Sequence, residues 1–204
     1  MNPQAIPTIG LLGGVASGKS AVAECFTRLG CVVLDGDQFG HRVLEQVAVQ
    51  EAAVARWGPQ VMNEGVIDRK QIALRVFGQE DANAAELQFW ESITHPRIGA
   101  LLAEEIARLR AAGGCGGIVL DAAVMMKAGW EKECDFLVFV DAPASLRLSR
   151  ALQRGWKAEQ FAARESSQIS LAEKRAVSDF VIDNSGDLEQ TYDQVVKVWH
   201  NLSS

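Results

Sequence analysis

Residues Gly13-Gly14-Val15-Ala16-Ser17-Gly18-Lys19-Ser20 satisfy the spacing Gly-x-x-x-x-Gly-Lys-[Ser/Thr]. That pattern suits the cradling of phosphate. Glycines let successive backbone N–H groups turn inward with no Cβ in the way. A helix beginning near Gly18 adds unsatisfied donors and a favourable dipole. In such a loop Lys19 reaches the β- and γ-phosphates of ATP, and the Ser20 hydroxyl ligates Mg2+. Ala21 continues the nucleotide-binding segment into the helix. Because the motif follows an apolar run and opens a helical pattern, a chance glycine-rich turn is a poor account of it.

Phosphate held at one end needs chemistry at the other. Asp35, in Leu34-Asp35-Gly36-Asp37-Gln38-Phe39-Gly40-His41, could accept or orient a hydroxyl proton during in-line phosphoryl transfer. Asp37 either assists there or caps a helix. Asp121, after Ile118-Val119-Leu120, either steers Mg2+ through water or merely ends a strand. Arg147, Arg150 and Arg154 fall on one helix face. They offer cationic clamps that arrive with closure of a dry site, or else a solvated basic face. Arg154 and Arg164 are the preferred clamps.

The elements that must position these groups are legible as short apolar runs alternating with helical patterns. Ile9–Leu12, Cys31–Leu34, Ile118–Leu120, Phe136–Val140 and Phe180–Ile182 are continuously apolar, and the last four are each followed by an aspartate. Runs of this kind are strands covered on both faces. Their alternation with helices predicts a doubly wound, mostly parallel, five-stranded sheet whose carboxyl edge gathers ligands. From about Gln38 to Gly113 the chain reads as nearly all helix, an insertion beside the sheet. Arg147 to Arg175 is charged and helical, and suits a lid.

Composition narrows the class. The chain has 204 residues, 48% hydrophobic and 23% charged, with a formal net charge of −6. This is ordinary for a soluble domain and argues against a nucleic-acid partner. No apolar run is long enough to span a bilayer, and Met1 to Pro7 lacks the regions of a signal peptide, so the expectation is no membrane and a cytoplasmic location. The four cysteines form no Cys-x-x-Cys pair, which suits reduced thiols rather than zinc ligation. No Asn is followed by Lys, so the guanine-reading segment of a GTPase is missing. Asp183-Asn184-Ser185-Gly186 matches Asp-x-x-Gly but follows the last strand, where a switch loop would not sit. What remains is a small kinase.

At this point the residues resemble a family, that of dephospho-coenzyme A kinase, along about Ile9 to Trp199. The resemblance rests on the phosphate loop, Asp35-x-Asp37 with His41, Gly65-Val66-Ile67-Asp68-Arg69, Val76-Phe77, and Ile93-Thr94-His95-Pro96-x-Ile98. It continues through Glu173-Lys174-Arg175 and Asp179 to Gly186. The resemblance implies a P-loop NTPase-type α/β core (1–37 with 114–146 and 177–204), a helical substrate-binding insertion (38–113) and a helical lid (147–176). It implies ATP- and Mg2+-dependent phosphorylation of the ribose 3′-hydroxyl of dephospho-CoA by a monomer or weak homo-oligomer. Asp35 is then the base, Lys19 and Arg154 stabilise charge, and Arg164, like Gln168, matches the lid pattern. Asp37, His41 and His95 contact substrate. Thr94-His95-Pro96 also reads as a helix start, with Thr94 capping and Pro96 in the first turn. One segment departs from the family. After Asp121 the chain reads Ala122-Ala123-Val124-Met125-Met126-Lys127, with Lys127 where the family usually has Glu. A kinase for another nucleoside or nucleotide, or a non-catalytic sensor of ATP or a CoA precursor, are the alternative readings.

Overall fold

The computed structural model describes residues 6–77 and 82–202. They divide into two compact units, Met1–Asp35 with Glu105–Ser204, and Gly36–Glu104.

The first unit is built on five strands: β1 (Thr8–Gly13), β2 (Cys31–Asp35), β5 (Gly117–Asp121), β6 (Phe136–Asp141) and β7 (Phe180–Asp183). They hydrogen-bond in the order β2-β5-β1-β6-β7, and every pairing is parallel. All six residues of β1 are buried, as its continuous apolar character requires of a central strand. The chain runs from β1 to β2 on one side of the sheet and adds β6 and β7 on the other. β1 therefore marks the reversal of strand order, where a crevice opens at the carboxyl edge. Helix α1 (Lys19–Arg28) and helix α10 (Leu188–Leu202) cover one face. There Phe26, Val22, Val195 and Val198 join Ile9, Leu11, Val138 and Ile182 in one core, with Trp199 meeting Phe26 edge-on at 6.4 Å. Cys25 and Cys31 are buried, and burial pushes the Cys31 thiol up to about 12, which makes it inert. Helices α6 (Met125–Ala128), α7 (Ala144–Gln153), α8 (Ala158–Ser166) and α9 (Leu171–Ala176) also belong to this unit.

The second unit contains α2 (Gly36–Val43), α3 (Val47–Trp57), α4 (Arg69–Phe77) and most of α5 (Ala82–Ala112). Its helices are joined by a polar clasp: Arg56 pairs with Glu86 at 2.7 Å, and Trp57 Nε1 donates to the same carboxylate at 2.6 Å. The expectation of nearly continuous helix here is corrected at one point. Residues β3 (Met62–Asn63) and β4 (Val66–Ile67) form an antiparallel hairpin. Its turn, Glu64-Gly65, has φ of 48° and 84°. Positive φ at both central residues is the twist a two-residue hairpin turn needs.

A second correction concerns Thr94-His95-Pro96. Helix α5 is one element of 31 residues with Pro96 inside it, so no helix begins there. Thr94 is buried and donates its hydroxyl to Trp90 O at 2.8 Å, one turn back, rather than capping. The proline leaves a carbonyl of the preceding turn without its usual donor. The helix continues because packing of Ile98 and Leu102, both buried, outweighs one lost bond. Asp37 likewise does not cap α2, which starts at Gly36; it lies in the first turn, where its charge favours the helix dipole.

Candidate functional site

The loop between β1 and α1 adopts the conformation its residue types allow. Gly18 is left-handed (φ 97°) and precedes the first residue of α1, and Ala16 is left-handed without being glycine (φ 57°). A non-glycine residue held there costs about 1–3 kcal/mol, a strain typical of ligand-binding turns. Gly13 and Gly14 are required by close approach. A Cβ on Gly13 would lie 2.8 Å from Val140 O, and one on Gly14 would lie 2.7 Å from Arg147 Nη1. Ser17 is 1% exposed, and its Oγ has no hydrogen-bond partner among the described residues. An unfilled buried hydroxyl costs about 1–3 kcal/mol. A phosphate oxygen seated in the loop could accept from it.

The carbonyls of the loop are held from behind by cations. Lys174 Nζ donates to Gly13 O at 3.1 Å, Arg147 Nη1 to Val15 O at 3.4 Å, and Arg150 Nη1 to Ser17 O at 3.1 Å. Asn184 Nδ2 also donates to Ser17 O, at 2.7 Å, and is itself fixed by Thr191 Oγ1 at 2.9 Å. Fixing alternate carbonyls leaves the loop geometry set before any ligand arrives. The picture of a solvated basic face on α7 is therefore corrected. Arg147 is 3% exposed, pairs with Glu165 at 2.5 Å and donates to Ala142 O at 3.1 Å. Arg150 bridges Ser17 O and Asn184 O. Arg154 alone of the three is exposed, at the C-cap of α7.

Strand register sets the acids. Asp35 at the end of β2 is paired in register with Asp121 at the end of β5, and Asp121 with Leu11 of β1. Ser20 Oγ faces Asp121 Oδ2 at 3.4 Å, long for a strong hydrogen bond. A hydroxyl and a carboxylate converging beside the loop are the hard oxygen donors that suit Mg2+. The other two strand-end acids are used locally. Asp141 pairs with Arg175 at 2.6 Å. Asp183 accepts from Ser185 N at 2.9 Å, and its hydrogen bonds to Ser185 hold its carboxyl below the usual range.

Two cavities flank the loop. One, of about 290 Å³, is lined by Lys19, Lys127, Gln168 and Lys174 over apolar residues that include Leu12 and Met126. The other, of about 350 Å³, is lined by Gly18, Ala21, Arg150, Gln153, Arg154 and Asn184. Arg164 lies over the Trp156 ring at 4.1 Å and lines neither. Asp37, His41 and His95 belong to the second unit, on α2 and α5. The structure thus gathers Gly13 to Ala21, Asp121 and Arg154 around one loop. Two loop-binding residues, Lys174 and Asn184, were visible in the sequence only as members of a family motif. Burial pushes Lys174 down to about 8, with the positive charge of Lys19 adding to the effect.

Comparison with known proteins agrees with this geometry. A family model described as dephospho-CoA kinase matches residues 7–190. The dephospho-CoA kinase of Aquifex aeolicus is 37% identical over 197 residues, covering 96% of this chain and 97% of the relative. That of Deinococcus radiodurans is 38% identical over 182 residues, covering 89% and 85%. Among solved structures, a Thermus thermophilus protein superposes with a TM-score of 0.81 at 29% identity, covering 98% of this chain and all (100%) of that one. A shikimate kinase from Acinetobacter baumannii, at 16% identity and a TM-score of 0.51, shares the fold. On sequence, fold and the arrangement of its phosphate loop, the chain belongs to the dephospho-CoA kinase family.

Proposed function

We propose that this chain transfers the γ-phosphoryl group of ATP to the ribose 3′-hydroxyl of dephospho-CoA, giving CoA and ADP, the final step of CoA synthesis. The observation that carries the reading is the phosphate loop with Asp35 and Asp121 in register beside it. The 3′-oxygen forms a bond to the γ-phosphorus as the bond from that phosphorus to the β,γ-bridging oxygen breaks. Asp35 takes the hydroxyl proton, and ADP leaves with the bonding pair. Lys19 and Arg154 balance charge on the transferred group, and Arg164 joins them when the part of the segment 147–176 between the loop-anchored Arg150 and Lys174 closes as a lid. Ser20 and Asp121 would hold Mg2+, which supplies neutralisation of the phosphate charge. The adenosine of ATP occupies the cavity beside Gly18, Ala21 and Arg154, and the acceptor approaches from the lysine-lined one. Asp37, His41 and His95 contact the acceptor.

The test is ADP release with dephospho-CoA, adenosine monophosphate and uridine offered separately. Release with dephospho-CoA alone is expected. Turnover of another acceptor would make this a different nucleotide kinase, and tight ATP binding without any turnover would make it a sensor. No helix among the described residues is long and apolar enough to cross a membrane. We take the enzyme to act in the cytoplasm as a monomer or weak homo-oligomer; sedimentation of the purified protein checks the second point.

Lys127 lines the acceptor cavity with Lys19 and Lys174. The lysine that stands where the resemblance leads one to expect Glu thus lines the same cavity as Lys19, which supports a role for it toward the acceptor. Lys127→Gln is expected to raise the KM for dephospho-CoA about two- to fivefold, the worth of an exposed charge pair, with the KM for ATP unchanged. Steady-state kinetics with each substrate varied in turn checks this.

A further inference from the structure

We propose that Lys174 is a positioning residue for the nucleotide: it fixes the Gly13 end of the phosphate loop and takes up a proton as polyphosphate binds. The proposal rests on the reading that the loop binds ATP and ADP.

The geometry makes Lys174 different from the arginines beside it. It is 4% exposed, yet it lines the cavity that also contains Lys19 and Lys127. Its nitrogen has two hydrogen-bond acceptors, Gly13 O at 3.1 Å and Gln168 Oε1 at 2.7 Å. A neutral amine carries two N–H donors and satisfies both; an ammonium carries a third. Either form can hold the loop in place. Only the charged form also meets an anion in the cavity. Arg147 and Arg150 cannot make this change, because guanidinium stays charged.

Burial, and on balance the charges around it, shift Lys174 toward the neutral form before a ligand arrives. Lys19 on α1 and Arg147 on α7 repel its proton, Glu165 on α8 attracts it, and burial is the largest influence. Lys127 of α6 adds a further positive group on the same cavity wall. Burial first, then Lys19 and Arg147 against Glu165, leave Lys174 titrating at about 8 rather than 10.5. Polyphosphate reverses the local charge and moves that titration back up. At pH 8 about half of the molecules, and at pH 9 about nine-tenths, then gain a proton on binding; at pH 7 about a tenth do. The phosphates of ADP, with a second pKa of about 6, are about nine-tenths ionised at pH 7 and essentially fully so at pH 8 and 9, where the uptake is read without their contribution.

The experiment is calorimetric titration of the full-length protein with ADP, at pH 7, 8 and 9, in pairs of buffers that differ in ionisation enthalpy. The buffer dependence gives the number of protons taken up. The wild type is expected to show uptake rising from about 0.1 to about 0.9 over this range. Lys174→Arg, which keeps the charge and the donors, should bind ADP with uptake near zero at every pH. Lys174→Gln, which keeps donors without charge, should also show none, with ADP affinity about tenfold weaker at pH 7 than the wild type's. Uptake in Lys174→Arg equal to the wild type's overturns the proposal, as does an absence of uptake in the wild type. A structural role alone would leave the uptake untouched by either substitution. Should Lys174→Arg fail to fold, Lys174→Gln decides by the same comparison. Absence of any ADP binding by the wild type would instead overturn the functional reading.

Discussion

Asp35→Asn is expected to lower turnover with dephospho-CoA by about a hundred- to ten-thousandfold, the usual worth of a positioned acid or base. ATP affinity should stay within about twofold. The split follows from where Asp35 sits. It terminates β2, separated from the phosphate loop on β1 by the intervening strand β5. Its register partner Asp121, not Asp35, faces Ser20. Asparagine matches the carboxylate in size and can still hydrogen-bond a hydroxyl, so acceptor binding should change little. It cannot take the proton that the hydroxyl gives up as the new bond to phosphorus forms. The loss should therefore appear in kcat rather than in either KM. Turnover near that of the wild type would remove Asp35 from the mechanism, and a parallel loss of ATP affinity would reassign it to the nucleotide side.

What the sequence made legible were features encoded within one stretch. The strands were readable because each is a continuous apolar run, and four end in the aspartates now found at the carboxyl edge. The phosphate loop was readable because its residue types fall at a fixed spacing within eight residues, even though the groups that crowd Gly13 and Gly14, Val140 and Arg147, are distant in sequence. Pro96 misled because the local rule places proline in the first turn of a helix, whereas α5 is held through it by the buried Thr94 before it and Ile98 and Leu102 after it. The hairpin at Met62–Ile67 escaped because strands of two residues carry no period. The back of the loop escaped for a different reason. Lys174, Arg147 and Arg150 look like surface charges, and their acceptors lie 161, 132 and 133 residues away in sequence. No spacing rule connects residues so distant; only the sheet order, which returns β6 and β7 to the side of β1, brings them together.

Gly18→Ala tests that back-side scaffold most severely. Two penalties fall on one position. The backbone there is left-handed at φ 97°, which costs a residue with a Cβ about 1–2 kcal/mol. The added methyl would also overlap the Asn184 side-chain amide. Asn184 is 6% exposed, donates to Ser17 O and accepts from Thr191 Oγ1, so it cannot swing away freely. Displacing it would strand polar groups in the interior at about 1–3 kcal/mol each. The expected result is a loss of about 2–8 kcal/mol of stability, read by urea unfolding, as the sum of strain and one or two broken bonds. ATP affinity should fall by more than a hundredfold if, as proposed, the loop containing Gly18 and Ser17 holds the phosphates. Adding Asn184→Ala should separate the two costs. The double variant is relieved of the overlap but keeps the φ strain, and the two substitutions share a contact, so their effects will not add. Its stability should therefore exceed that predicted by summing the single losses. Strict additivity would mean that Asn184 and Gly18 are not in contact in solution, and that the loop is shaped without its support.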